Sequence, residues 1–398
     1  MKKKVGIVSC YFQHNYGSML QAYATQMALD KLNIENETID ISGFNNEIKK
    51  AKLKYFIKAS LSSDILFSKI GMAKNVLIKK FSKSEYTAKL KNRNQKFKEF
   101  SNKYFRLSEP YPSKAVLSEK CKDKYFAVLV GSDQLWLPGN IAADYYTLNF
   151  VPTDVNSIAY ATSFGQSSLP KDSAAKAKIF LRKIIHISIR EESGQKLIKE
   201  LVNRKVPVVC DPTLLFTGEE WMSIQQKKPI INEPYIFCYF LGNNSLHREF
   251  AKRLKENTDH KIVALAHLDE YVKCDDIYAD ETPYDIDPSD FLNLIRNAAY
   301  VCTDSFHCSV FSILYKRNFF TFRRYTKNTK QSTNSRLDTL FNLTGITDHI
   351  MNGDEDVEQC LNMSVDYDAV YKKIALVREK SYGYLQAALK TEESTDCD

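Results

Sequence analysis

Short apolar runs rich in β-branched residues recur along the chain. Each is followed by a polar loop and then by apolar positions at helical spacing. Residues 4–9 are the first such run. Leu20, Ala24, Met27, Ala28 and Lys31 then fall at intervals of three and four, predicting a helix with Ser18 at its N-cap. Residues 125–130, 157–161, 184–189 and 206–210 are further strand candidates. They are continuous rather than alternating, as in strands covered by helices on both faces.

The second half repeats the scheme. Strands are expected at 235–241, 261–266, 300–303 and 319–322, with helices at 245–257, 288–298, 308–315 and 335–343 between them. Strand–helix alternation predicts parallel sheets in an α/β fold. The chain has 398 residues, enough for two domains. The expected division is an N-terminal Rossmann-like lobe over 1–216, a C-terminal Rossmann-like lobe over 229–365, and a helix with a loose tail over 366–398. Neither lobe has GxGxxG after its first strand, so a standard dinucleotide site is not expected.

Charge separates one segment from the rest. The net charge is +8, yet residues 46–124 hold 21 Lys and Arg against 7 Asp and Glu, leaving the remainder net acidic. This stretch predicts a basic, largely helical insertion in the N-terminal lobe. Apolar residues between Ile65 and Phe81 recur near helical spacing, interleaved with Lys69, Lys74, Lys79 and Lys80. Such a helix can pack on the lobe with its lysines in water, or lie on an anionic membrane surface. No recognisable RNA-binding pattern accompanies the charge, so nucleic acid is not an expected partner. No run approaches the ~20 apolar residues of a membrane span. The basic start, Met1 to Lys4, leads into too short an apolar stretch for a secretory leader, so a cytoplasmic protein is expected. The nine cysteines are odd in number and include no CxxC, which favours buried thiols over disulfides or zinc.

In open α/β sheets ligands bind beyond the carboxyl ends of the strands, and here those ends are distinctive. The first strand leads to His14-Asn15-Tyr16-Gly17-Ser18, followed by Gln21. Later strand ends carry Gly131-Ser132-Asp133-Gln134-Leu135-Trp136, Ser163-Phe164-Gly165, Arg190-Glu191-Glu192-Ser193-Gly194, Asp211-Pro212-Thr213 and Asp304-Ser305-Phe306-His307. Arg190 directly follows an apolar strand, and its guanidinium can grip a carboxylate or phosphate with two bonds. His307 starts a helix, beside the positive end of its dipole, and histidine exchanges protons near neutral pH. Asn15, Gln21, Asp133 and Gln134 offer the paired donors and acceptors that sugar hydroxyls need, with His14 a weaker candidate in the same loop. Asp211 before a proline reads as a structural turn, and Trp136 as either a sugar-stacking or a core aromatic.

Taken in order, these strings resemble the polysaccharide pyruvyl transferase family from about residue 5 to about residue 343. The resemblance implies two lobes like those of GT-B glycosyltransferases, with the active site between them. It implies transfer of a pyruvyl group from phosphoenolpyruvate to two hydroxyls of a saccharide or lipid-linked glycan acceptor, forming a ketal and needing no cofactor or metal. By the matching motif positions, Arg190 and His307 would be catalytic or donor-binding. Family members with demonstrated activity commonly carry arginine two positions before the histidine, and here that position is Ser305. Arg323, Arg324, Lys327 or Arg336 would then supply the missing donor contact. The expected setting is capsular or exopolysaccharide biosynthesis at the inner face of the membrane. Two other readings stay open: a glycosyltransferase using a nucleotide-sugar, whose ribose would be held by Asp280, Glu281, Asp285 or Asp287, and a non-catalytic glycan-binding protein of the same fold.

Overall fold

A computed structural model describes residues 3–60, 84–267, 272–275, 277–324 and 335–390. The N-terminal lobe runs β1 (Lys4–Val8), α1 (Tyr16–Lys31), β2 (Asn36–Thr38), α2 (Asn45–Ser60), α3 (Ser84–Tyr104), α4 (Lys114–Lys124), β3 (Tyr125–Val130), α5 (Pro138–Ala143), β4 (Asn156–Thr162), α6 (Lys171–Lys183), β5 (His186–Ile189) and α7 (Glu192–Val202). Its strands form a parallel sheet in the order β2-β1-β3-β4-β5. The C-terminal lobe runs β6 (Tyr235–Tyr239), α8 (Ser245–Thr258), β7 (Lys261–Ala264), α9 (Pro288–Asn297), β8 (Tyr300–Thr303), α10 (Phe306–Leu314), β9 (Asn318–Phe322), α11 (Ser335–Thr344), β10 (Ile350–Met351), α12 (Val357–Leu361) and α13 (Tyr367–Leu389). Its parallel sheet has the order β10-β9-β8-β6-β7.

Both sheets reverse their strand order once, between β1 and β3 and between β6 and β8. Those reversals open the crevices in which α/β proteins hold ligands. The lobes share a core. Tyr16 of α1 stacks on Phe291 of α9 with ring centroids 4.7 Å apart, and Trp221 of the linker meets Phe311 of α10 edge-on at 5.1 Å. The last helix straps the lobes together. Tyr371 Oη donates to Leu314 O on one side, and Tyr384 Oη to Ala159 O on the other.

Three local expectations change. The run 206–210 is not a strand: Pro207 has no N–H to donate to a ladder, and only Val208 bridges to Ile189. The chain instead uses Asn36–Thr38 as a strand. Its polar Glu37 is buried because Lys4, Lys124 and Tyr125 Oη each reach it at 2.7 Å. Asn15, not Ser18, caps α1, its Oδ1 accepting from Ser18 N at 3.1 Å. The described parts of the basic segment are largely helical, with a loop over 105–113, and the helix expected over 65–81 lies outside the described residues. All eight described cysteines are free, and all but Cys274 are buried.

Candidate active site

The chemistry-bearing loops converge between the lobes. Beneath the cleft, β5 ends in Arg190, whose side chain is 1 % exposed. Its Nη1 donates to Asp211 Oδ2 at 2.7 Å and to Ser132 Oγ at 3.3 Å, and its Nη2 to Asp133 Oδ1 at 3.2 Å. Asp133 sits at the end of β3 with φ +84°, a left-handed backbone that Asp and Asn adopt more readily than bulkier residues. The turn aims its Oδ2 at Ser18 Oγ, which donates at 2.6 Å. Burial pushes the Asp133 carboxyl up. The Arg190 charge opposes burial most strongly, then His307 and the Ser18 hydrogen bond, and the net value is about 2. Asp211 is likewise held well below the usual carboxylate range, its burial outweighed by His307 and Arg190. Glu191, also buried, is pushed up by desolvation.

His307 comes from the opposite lobe, in the first turn of α10, whose N-cap is Ser305. Its Nε2 lies 3.6 Å from Asp211 Oδ2. Its ring packs over the backbone of Gly17, where any Cβ would stand 2.1 Å from His307 Nδ1. The glycine after Tyr16 therefore makes room for the histidine. A matching device sits at the β6–β8 crevice. Asp304 accepts from Leu241 N at 2.7 Å and from Gly242 N at 2.8 Å, closing the crevice floor.

Above this floor is a cleft of about 380 Å³ bordered by both lobes. The C-terminal lobe and α11 supply Ser305, Phe306, His307, Arg324 and Arg336. The N-terminal lobe supplies Lys52, Asp133 and the amides Gln13, Asn15, Gln134 and Asn140. Arg336 is 9 % exposed, and its Nε has no hydrogen-bond partner. Among the described residues no carboxylate forms an ion pair with it. Burial, then the like charge of Arg190, push its guanidinium below the usual arginine range. The rings and planes stack: Phe306 lies 5.1 Å from the Arg190 guanidinium and 5.7 Å from that of Arg336. Arg324 donates to Asp304 O at 3.2 Å, and its Nε is unpaired. The one acid lining the cleft, Asp133, is already engaged, so the open charge of the cleft is positive.

The structure divides the expected site residues. His307, Ser305, Arg324, Arg336, Asn15, Asp133 and Gln134 line the cleft. Arg190 does not: its guanidinium is spent on Asp211, Asp133 and Ser132 below the floor. Arg323 pairs with Asp338 at 2.7 Å and does not line the cleft. His14 is exposed and stacks on Phe97 at 5.5 Å. Gln21 is buried, donating to Ser18 O at 2.7 Å, and supports the loop rather than a ligand. Trp136 is a core residue between Phe164 and Phe180, with its Nε1 donating to Tyr146 O. Lys327 lies outside the described residues. The carboxylates considered for a ribose are used elsewhere: Asp280 holds Ile262 N and Lys255, Glu281 holds Lys261, and Asp287 caps α9. Asp285 does not line the cleft. Lys52 and Asp211 were not singled out for chemistry. Lys52 stands in a run of lysines with nothing local to distinguish it, and Asp211 looks like a turn residue, which it also is: its Oδ1 accepts from Thr213 N at 3.1 Å. No group of His, Cys, Asp and Glu among the described residues could hold a metal ion. No described helix is long and apolar enough to cross a membrane.

Two parallel sheets facing each other across a cationic cleft define a two-lobed α/β fold of the GT-B type. The family model for polysaccharide pyruvyl transferases matches residues 15–324, and the chain belongs to that family, a family of transferases that act on polysaccharides. No curated protein matches the chain. Among solved structures, it is similar to UDP-N-acetylglucosamine 2-epimerase from Rickettsia bellii, at 11 % identity and TM-score 0.52, covering 97 % of this chain and 96 % of that one. A Listeria monocytogenes protein described as an enzyme of the same kind has 11 % identity and TM-score 0.56, covering 99 % and 98 %. At these identities the likeness concerns the fold alone.

Proposed function

We propose that the cleft binds phosphoenolpyruvate and transfers its pyruvyl group as a ketal to a saccharide. The observation that carries this reading is Arg336, a buried guanidinium at the cleft wall with no counter-ion among the described residues. A buried charge is costly unless it is paired, and a donor bearing both a carboxylate and a phosphate supplies what is missing. Arg324 and the N-terminal turn of α10 add further positive potential beside it. The alternative donor, a nucleotide-sugar, lacks support, because none of the acids considered for a ribose lines the cleft.

The chemistry moves two protons. The methylene carbon of the donor gains a proton, and two sugar hydroxyls lose theirs as they bond to the central carbon. The departing phosphate takes the balance. His307 is the titratable group at the cleft suited to this traffic. Asp211 Oδ2 faces His307 Nε2 at 3.6 Å, and Gly17 packs beside Nδ1, so the ring is held in place at the cleft. Asp133, locked by Arg190 and Ser18, orients the Ser18 loop. The setting expected for the product is a cell-surface polysaccharide made in the cytoplasm.

Incubation with phosphoenolpyruvate and a panel of oligosaccharides in deuterated water tests the reading. Ketal methyl resonances carrying deuterium, with equimolar phosphate release, are expected. Transfer of a sugar from a nucleotide-sugar, with phosphoenolpyruvate inert, would refute it.

A further inference from the structure

The cations of the cleft are not all on one side. Arg324, Arg336 and His307 cluster around Ser305 and Phe306, at the β6–β8 crevice. Lys52 stands apart from them in sequence and in lobe, on α2, among the neutral amides of Gln13, Asn15, Gln134 and Asn140. It is half-buried, and its ammonium makes no ion pair or hydrogen bond among the described residues. Its four nearest lysine neighbours on α2, Lys49, Lys50, Lys54 and Lys58, are all exposed. Lysine usually keeps its head in water. Its ammonium lies 6.0 Å from the centre of the Tyr146 ring, a weak contact for a group that burial pushes down, and an anion in the cleft would offset that cost more fully. The amides around it suit hydroxyls.

We propose that Lys52 binds an anionic group on the acceptor, so that the substrate class is a saccharide carrying a phosphate ester or a carboxylate. The inference rests on the donor reading above, because it assigns the other cationic wall to phosphoenolpyruvate. Two anions then occupy one cleft, and their separation on opposite walls keeps the acceptor from competing for Arg336. The anion also fixes the acceptor's orientation, since a charge-assisted hydrogen bond from lysine is stronger than a neutral one.

The test is calorimetric titration of the full chain saturated with phosphoenolpyruvate. The probes are hexose 1-phosphates, hexuronic acids and the matching neutral methyl hexosides. Wild-type protein should bind an anionic member about tenfold more tightly than its neutral counterpart, a difference that one charge-assisted contact can supply. Lys52→Met should abolish that preference while leaving the affinity for phosphoenolpyruvate unchanged. Success with the phosphates alone, or with the uronic acids alone, identifies which anion the acceptor carries. Equal binding of neutral and anionic probes, or no binding of any, would overturn the inference, as would a loss of phosphoenolpyruvate affinity in Lys52→Met. Failure of phosphoenolpyruvate to bind wild-type protein is a separate outcome: it removes the donor reading on which this inference rests.

Discussion

Asp211 Oδ2 and His307 Nε2 lie 3.6 Å apart although they belong to different lobes. The pair exists only while the lobes are closed on each other. Replacing Asp211 with Asn removes the charge that faces the ring. The expected result is a fall in kcat of about 100-fold, the lower end of what general acid–base catalysis contributes, with KM for phosphoenolpyruvate nearly unchanged. Steady-state kinetics at fixed acceptor separates the two. A rise in KM with constant kcat would mean that Asp211 only shapes the donor site.

Gly17 has a different dependence on the same histidine. A Cβ there would stand 2.1 Å from His307 Nδ1. Alanine is the better helix former by about 1 kcal/mol, so Gly17→Ala should not weaken α1 itself. It should displace the ring, with activity dropping at least tenfold while far-ultraviolet circular dichroism is retained. Unchanged activity would show that the ring is not held against this backbone.

The two arginines nearest Phe306 predict opposite effects on stability. Arg190 is compensated by Asp211 and Asp133. Arg190→Met leaves those acids buried without their cation and should destabilise the protein by about 3–5 kcal/mol. Arg336 has no such partner among the described residues. Arg336→Met should leave the unliganded protein as stable as wild type or more so, while abolishing its stabilisation by phosphoenolpyruvate. Thermal unfolding with and without the ligand reads both. A large loss of stability in Arg336→Met would contradict the view of an uncompensated charge.

Asp133 carries a pH signature. Its carboxyl is depressed from 3.8 to about 2, so the stability it contributes is complete above its unfolded value and is lost as pH falls from about 4 towards 2. The shift corresponds to roughly 2 kcal/mol. Asn tolerates the left-handed backbone at this position. Asp133→Asn should therefore be less stable near neutrality and lose less stability between pH 5 and pH 3. Parallel pH dependences for the two proteins would contradict this.

Much of the fold was legible because its strands are apolar runs of four to seven residues separated by strong helical periods. β2 was not, because Asn36–Thr38 is polar and becomes a strand only when two lysines and a tyrosine meet Glu37. The run at 206–210 misled in the other direction, since composition does not register the missing N–H of Pro207. The site was legible at the level of loops. His307, Asp133, Gln134 and Arg336 follow strands or open helices and do reach the cleft. Which face of the floor a side chain serves was not legible. Arg190, just after β5, and Gln21, within α1, point at other protein atoms, and only the three-dimensional placement of Asp211 and Ser18 reveals it. Lys52 was invisible among its neighbours because its distinction is burial, not identity.

The central claim, that the cleft is a phosphoenolpyruvate site, is tested most directly by titrating phosphoenolpyruvate into wild-type protein and then challenging the complex with UDP-N-acetylglucosamine. The account predicts saturable 1:1 binding that Arg336→Met eliminates and that the nucleotide-sugar does not displace. Tight binding of the nucleotide-sugar, with none of phosphoenolpyruvate, would contradict it.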